Sequence, residues 1–246
     1  MSIEQKFAPT ITNEQTATLP AIRFEGKVQI VDTEQGLIEA CNYLSQHSVI
    51  GFDTETRPSF KAGITNRVAL IQLSTPERCY LFRLCRMKFG RELQHLLENP
   101  DIKKVGADVA GDIRSLNQLR HIRAAGFIDL QTIAPQWGIE EKSLRKLSAI
   151  VLGKRVSKAQ RLSNWEAAQF TEQQISYAAT DAWVCLEILA KLEATPKCNP
   201  APAHEIKAQA EPKKIEQKAE QKAKSRRRPF RRRKPHNSKP TTETKE

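Results

Sequence analysis

The chain has 246 residues, a length that fits one domain with additional sequence at its ends. Hydrophobic residues make up 39% and charged residues 28%, so a core can form, but no apolar run approaches the roughly 18 residues that a membrane-spanning helix needs. The five cysteines form no C-x-x-C pair and leave one over, which argues against a disulfide framework or a zinc ribbon and favours a cytoplasmic protein.

The net charge of +12 is concentrated near the C-terminus. Residues 197–246 hold 16 of the 40 Lys and Arg residues but 6 of the 28 Asp and Glu residues, which leaves the rest of the chain nearly neutral. Because this segment has almost no large apolar side chains, we predict that residues 196–246 form a disordered basic tail. Residues 1–21 are polar with little periodicity and predict a flexible lead. One folded domain is therefore expected over residues 22–195.

Within this domain, the apolar pattern alternates between strand and helix spacing. The β-rich runs at residues 67–74 and 78–84 are joined by a short turn, which predicts an antiparallel hairpin. Strands and helices in alternation, with a helical C-terminal third, predict an α/β fold with a mixed sheet. Further strands are predicted at residues 28–31, 48–55, 103–108 and 126–130, and helices at residues 33–46, 90–98, 113–119, 143–152 and 171–193.

The first acidic motif, Asp53-Thr54-Glu55, lies at the end of a predicted strand. Residues two apart on a strand share a face, so both carboxylates point the same way, whereas Thr54 faces the other side. Two neighbouring acids are unfavourable there unless a cation compensates them, and Mg²⁺ and Mn²⁺ prefer oxygen ligands. Taken alone, the same pattern is also typical of an exposed strand end.

The second motif is on the predicted C-terminal helix. Tyr177 and Asp181 are four residues apart and therefore lie on one face, among small alanines that allow close packing. Asp181 has no basic residue one turn before or after it. Taken alone, this pattern is also typical of a solvated helix face with a core tyrosine.

The third motif contains Asp108 and Asp112, where a predicted strand enters a glycine-flanked turn and a helix begins. Acids are favoured near a helix N-terminus by its dipole. This effect accounts for one of the two acids and leaves the other as a candidate for a functional site.

Together, these motifs place four acids and a tyrosine on three separate elements. Hydrolysis of a phosphodiester by two cations needs carboxylates that hold the cations about 3.5–4 Å apart. Without cations, mutual repulsion would raise the pKa values of the clustered carboxyl groups. The combination predicts a metal-dependent hydrolase of phosphodiesters.

The sequence resembles the DEDD superfamily of 3′–5′ exonucleases, in the tyrosine-bearing branch that includes ribonuclease D and the Werner-type exonuclease domain. The resemblance extends over about residues 28–192 and rests on FDTE at 52–55, VGADVAGDIRSL at 105–116 and YAATD at 177–181. It implies a ribonuclease H-like fold, a mixed sheet flanked by helices, and two divalent metal ions, Mg²⁺ or Mn²⁺, as cofactors.

The resemblance also implies a role for each motif residue. Asp53 would bridge both metals, and Glu55 and Asp181 would bind the metal that holds the nucleophilic water. Asp112 would serve the second metal, directly or through water. Tyr177 would orient that water or help to deprotonate it.

The resemblance also indicates which acid of the third motif belongs to the site and which residues contact the substrate. Asp112 is preferred over Asp108 because a Gly-Asp step followed by a helix fits the family pattern. Thr56 and Arg57, just after the first motif, are expected to contact the terminal nucleotide. Ribonuclease D carries additional helical domains after its exonuclease core, whereas this chain continues into a basic tail.

The basic tail contains the run RRRPFRRRK, in which arginines surround one phenylalanine. Arginines bind phosphates and an aromatic ring stacks on a base, which predicts a sequence-independent nucleic-acid tether. A solvated low-complexity end and docking on ribosomes are the alternatives. The residues expected to bind nucleic acid are Arg226, Arg227, Arg228, Phe230, Arg231, Arg232 and Arg233.

The sequence thus predicts a metal-dependent 3′–5′ exonuclease that acts on single-stranded or frayed 3′ ends and releases nucleoside 5′-monophosphates. Its expected partner is nucleic acid and not a membrane, with DNA and RNA equally open. The alternatives are a non-catalytic nucleic-acid-binding protein on the same fold and an RNA-only processing exoribonuclease.

Overall fold

A computed structural model describes residues 6–58 and 66–198 of the protein. The tail lies outside these ranges from residue 199 onward, so its disorder and its seven nucleic-acid-binding residues stay predictions. In the part of the chain that the structure describes, no helix is both long enough and apolar enough to cross a membrane.

Six strands form one mixed sheet, which confirms the predicted fold class. The strands are β1 (Lys27–Val31), β2 (Val49–Thr56), β3 (Val68–Ser74), β4 (Arg78–Arg83), β5 (Lys103–Gly106) and β6 (Phe127–Asp129). Their order across the sheet is β1-β4-β3-β2-β5-β6. Strand β3 is antiparallel to β2 and β4, which confirms the predicted hairpin, and the other adjacent pairs are parallel.

Helices cover both faces of this sheet. They are α1 (Asn13–Thr18), α2 (Glu34–Leu44), α3 (Arg91–Glu98), α4 (Val109–Leu116), α5 (Leu130–Ile133), α6 (Leu144–Leu152) and α7 (Glu172–Glu193), with a short 3₁₀ turn at Ala134–Trp137. One core contains Leu37 of α2, Leu93 of α3 and Phe52 of β2. A second core contains Leu147 of α6 and Val184 of α7. Helices α2 and α3 therefore cover one face, and α6 and α7 cover the other.

Helix α7 crosses β2 at very short range. It begins as predicted, at a Thr171 N-cap that forms a capping box with Gln174. Gly51 makes the crossing possible, because a Cβ there would lie 2.0 Å from the carbonyl oxygen of Ala182. The acids two and four residues after Gly51 share its face and therefore lie toward α7.

The N-terminal residues differ from the predicted flexible lead over residues 1–21. Within the described part of this segment, α1 begins at a Thr12 N-cap with a capping box. Phe7 is buried, and the Glu140 N–H donates a 2.9 Å hydrogen bond to the Pro9 carbonyl oxygen. A helix of six residues and one isolated aromatic are too short to show periodicity, which is why the sequence pattern did not indicate them.

Two element boundaries also differ from the prediction. The helix predicted at residues 113–119 begins earlier in the structure, at Val109 of α4. The strand predicted at residues 126–130 ends at Asp129. The Asp129 carboxylate explains both, since it accepts hydrogen bonds from the N–H groups of Val109 at 3.0 Å and Gln131 at 2.9 Å. One side chain thus caps the beginnings of α4 and α5.

Candidate active site

Three carboxylates from two elements meet on one face of the sheet. Asp53 and Glu55 lie two residues apart on β2 and share a face, as predicted. Asp181 comes from α7, which crosses that face. One carboxylate oxygen of each residue lies within 4.8 Å of those of the other two. Glu55 and Asp181 are buried and Asp53 is half-buried, so the cluster is largely shielded from water.

Burial and mutual repulsion raise the pKa values of all three carboxyl groups. Burial is the largest cause in each case and raises the pKa of Asp181 to about 7. At Glu55, the charges of Asp53 and Asp181 add to burial and raise the pKa to about 10. At Asp53, the charge of Asp181 adds to burial, and the pKa lies well above its ordinary value. Ionising the whole cluster is therefore unfavourable unless a cation compensates it.

The cluster fits a divalent cation. The Oδ1 atom of Asp181 is buried and has no hydrogen-bond partner among the described residues, so a ligand position is available there. The three groups supply only carboxylate oxygens, the ligands that Mg²⁺ and Mn²⁺ prefer. Asp53, Glu55 and Asp181 are the residues that would hold such an ion.

Asp112 approaches from the other side of β2. It is half-buried in the first turn of α4 and accepts a 2.6 Å hydrogen bond from Thr54 Oγ1. Thr54 alternates with the two acids of β2, so it lies on the opposite face. Burial, followed by the charge of Asp53, raises the pKa of Asp112 to about 8. Asp112 is therefore near Asp53 but is not one of the three clustered carboxylates.

Asp108, the alternative to Asp112, is exposed at the N-cap of α4. Its φ of 66° lies in the left-handed region, and its side chain makes no capping hydrogen bond. The N–H groups of Asp108 and Val109 instead donate to the Asp129 carboxylate at 3.3 and 3.0 Å. Sequence analysis missed Asp129, which anchors the helix that carries Asp112. Its position near the end of the strand predicted at residues 126–130 was the available signal.

Tyr177 lies one turn before Asp181 on α7 and contacts it. Its half-buried ring lies 6.0 Å from the ring of Trp165, which is fully buried, as expected of a packing residue. Burial, followed by the charges of Asp181 and Glu55, raises the pKa of the phenol above its ordinary value. The hydroxyl is therefore protonated near neutral pH in the cation-free protein.

A buried arginine holds the segment before α7. The guanidinium of Arg83, at the end of β4, donates to the carbonyl oxygens of Ala167 and, at 2.9 Å, of Ala168. It also lies 4.5 Å from the centre of the Phe170 ring. These contacts fix the segment that places Trp165 beside the site. Sequence analysis missed this role, although an arginine directly after the apolar run at residues 79–82 was a signal.

The predicted substrate-contacting residues, Thr56 and Arg57, directly follow the acids of β2. The pairing of β2 with β3 is irregular between Glu55 and Thr56. The exposed Arg57 guanidinium forms a 3.3 Å ion pair with Glu166, and an exposed pair of this kind contributes little to stability. The charge of the exposed Arg161 slightly offsets the raised pKa of Glu55, so a second arginine is near the cluster.

Comparison with known proteins identifies relatives for most of the chain. Residues 28–195 match the 3′-5′ exonuclease family. The mouse bifunctional 3′-5′ exonuclease/ATP-dependent helicase WRN is 41% identical over 155 residues, which cover 61% of this chain and 11% of that protein. The Drosophila melanogaster exonuclease 3′-5′ domain-containing protein 2 is 36% identical over 180 residues, which cover 71% of this chain and 30% of that protein. The matches thus span less than a third of either relative.

Solved structures share the fold. The Aedes aegypti Nibbler EXO domain matches with a TM-score of 0.64 and 25% identity, over 71% of this chain and 92% of that chain. Trypanosoma brucei RNase D in complex with RNA U12 matches with a TM-score of 0.64 and 23% identity, over 73% of this chain and 66% of that chain. These matches confirm the ribonuclease H-like fold that the sequence resemblance implied.

Proposed function

The chain belongs to the DEDD superfamily of 3′–5′ exonucleases, and we propose that it removes nucleotides one at a time from the 3′ end of single-stranded or frayed nucleic acid. The observation that carries this proposal is the cluster of Asp53, Glu55 and Asp181, whose carboxylate oxygens lie within 4.8 Å of one another on this fold. The products are nucleoside 5′-monophosphates, and the cofactors are two divalent cations, Mg²⁺ or Mn²⁺.

In this proposal Asp53, Glu55 and Asp181 would hold one cation, and Asp53 and Asp112 would hold the other, directly or through water. Cations at such a site generate a nucleophile from water near neutral pH and stabilise the charge on the reacting phosphodiester. Thr54 supports this arrangement because its hydrogen bond fixes the Asp112 carboxylate beside β2.

Tyr177 orients the attacking water in this proposal. Its hydroxyl contacts Asp181, and a phenol can donate a hydrogen bond to a water beside that carboxylate. Packing against Trp165 limits the freedom of its ring. Of the two roles that the family resemblance implied, orientation is therefore preferred over deprotonation, and the chain is assigned to the tyrosine-bearing branch.

The 3′ end of the substrate binds at the C-terminal end of β2. Thr56 and Arg57 lie there, and the ion pair of Arg57 with Glu166 leaves the guanidinium exposed to an anionic ligand. Arg161 adds a second exposed cation near the acids. Contacts from arginine to phosphate provide affinity and position the strand without reading the bases. We therefore expect no preference for a nucleotide sequence.

The test is a time course on matched 5′-labelled single-stranded DNA and RNA with Mg²⁺ or Mn²⁺, for the wild type and Asp53→Ala. The expected result is a ladder that shortens from the 3′ end, requires the cation and is absent with the variant, whose circular dichroism spectrum matches that of the wild type. Degradation of RNA alone would identify an exoribonuclease. Binding without a ladder on either substrate would contradict the proposal and identify a non-catalytic nucleic-acid-binding protein.

A further inference from the structure

Gln72 lies in the middle of β3 and is completely buried. Neither Nε2 nor Oε1 of its side chain has a hydrogen-bond partner among the described residues. A primary amide can donate two hydrogen bonds and accept two, and burying it without partners is unfavourable. An apolar side chain of similar volume would fill the same space without this penalty, so the amide requires another explanation.

The sheet register places Gln72 beside the acid cluster. Strand β3 is antiparallel to β2, and Gln72 is directly opposite Asp53. Side chains directly opposite each other in an antiparallel pair share a face, with Cβ atoms about 4.5–5.5 Å apart. Gly51 lies on that face and is covered closely by α7. The amide therefore lies between the sheet and α7, in the layer that contains Asp53 and Asp181.

The other neighbours of Gln72 in the sheet provide few hydrogen-bond partners for its amide. On β4 it is paired with Leu81, whose side chain cannot form a hydrogen bond. Two residues along β3, the Ser74 hydroxyl already donates to the Thr75 carbonyl oxygen at 2.8 Å. Of the two residues paired with Gln72 in the sheet, Asp53 is therefore the one whose side chain carries an oxygen acceptor, and it belongs to the three-carboxylate cluster.

We propose that Gln72 is a positioning residue for the metal site: its Nε2, which has no partner among the described residues of the cation-free fold, donates to the Asp53 carboxylate when cations bind and holds it toward them. This inference rests on the proposed function, because it requires that Asp53 binds metal. A carboxylate has about four lone-pair positions, so Asp53 can accept from Gln72 while it binds cations. Partners of this kind orient metal ligands, and their loss weakens metal affinity by about 10- to 100-fold.

The test compares Gln72→Met with the wild type and with a matched control, Gln136→Met. Gln136 is also buried and has an unpartnered Oε1, but it lies in the 3₁₀ turn between α5 and α6. Without cations, the melting temperature of both variants is expected to rise, because unpaired amide atoms are removed. Calorimetric titration with Mn²⁺ in the absence of nucleic acid is expected to show about 10- to 100-fold weaker binding for Gln72→Met alone.

The outcomes separate this inference from the proposed function. A wild type that binds no Mn²⁺ overturns both. A wild type that binds Mn²⁺ while Gln72→Met binds it equally well, or while both variants weaken it alike, overturns the positioning role and leaves the proposed function intact. If Gln72→Met does not fold, Gln72→Asn keeps the amide but shortens its reach, and unchanged Mn²⁺ affinity in that variant also overturns the positioning role.

Discussion

Asp53 would bind a cation as an ionised carboxylate, but the ionised form destabilises the cation-free fold. Burial and the charge of Asp181 raise its pKa. An acid whose pKa is higher in the folded than in the unfolded protein lowers stability progressively as the pH rises above its ordinary range. We therefore expect Asp53→Asn to raise the melting temperature of the cation-free protein, more at about pH 8 than at about pH 5, and to abolish hydrolysis. Melting curves of both proteins in EDTA check this, and a gain over the wild type that is no larger at about pH 8 than at about pH 5 would contradict it.

Removing the hydroxyl of Tyr177 tests whether it orients the attacking water. Tyr177→Phe keeps the ring against Trp165 but removes the group that contacts Asp181. We expect kcat to fall about 100-fold, the size of loss that a misplacement of about 1 Å of a reacting group causes, and KM to change little. Steady-state kinetics on a single-stranded substrate measure both. Unchanged turnover would remove Tyr177 from the mechanism.

The sequence predicted the residues of the site better than their contacts. That Asp53 and Glu55 share a face follows from strand geometry alone and is confirmed. The bond from Thr54 to Asp112 joins residues 58 positions apart, and Gln72 lies opposite Asp53 only through the register of two strands. Such contacts depend on tertiary packing, which no local pattern specifies.

Among the elements, β5 buries a lysine that the proposed mechanism does not use. Lys104 is fully buried, its Nζ donates to the Asn99 carbonyl oxygen at 2.5 Å and it lies 5.2 Å from the centre of the Phe127 ring. Burial lowers its pKa from 10.5 to about 8. Between these values the unfolded chain binds the proton more readily than the folded one, so stability rises with pH across this window.

Lys104→Met is therefore expected to raise the melting temperature at about pH 7, where the buried ammonium is charged. The gain should shrink as the pH rises toward about 10, because the wild-type lysine is then neutral in the fold. Melting curves of both proteins over this range measure the difference. A gain that stays constant with pH would show that packing, and not the buried charge, determines the effect.

Helices and strands were predicted correctly where a periodic apolar pattern extends over many residues. Their boundaries were predicted wrongly where a residue distant in the sequence determines them. The 22-residue helix α7 and the hairpin of β3 and β4 carry strong local patterns and are confirmed. The start of α4 depends on the Asp129 carboxylate, which comes from β6. That bond is not visible in the sequence around α4, so the helix predicted at residues 113–119 begins later than α4, which begins at Val109.

Across the whole molecule, charge is divided between a nearly neutral domain and a basic tail. A chain that ends at residue 196 is expected to bind single-stranded nucleic acid more weakly. The plot of log binding constant against log salt concentration should also become less steep, by about 0.7 for each phosphate that the shortened chain no longer neutralises. Fluorescence anisotropy at several salt concentrations, in an Asp53→Asn background that prevents degradation, measures both. An identical slope would exclude the tether and leave a solvated end.

The fold brings together motifs that are distant in the sequence. The mixed α/β class was predictable because strands and helices alternate with clear periods. The strand order was not, since the parallel pairing of β1 with β4 and the position of β6 at the other edge depend on contacts between distant segments. It is this order that places β2 at the centre of the sheet, under α7, where the acids can meet.

In the proposed function, Asp53, Glu55, Asp181 and Asp112 hold two divalent cations. The most direct measurement is anomalous diffraction from crystals grown with Mn²⁺. We predict two peaks roughly 3.5–4 Å apart, one within ligand distance of Asp53, Glu55 and Asp181 and the other between Asp53 and Asp112. Crystals that bind Mn²⁺ only elsewhere, or that show no peak at these carboxylates, would contradict the account.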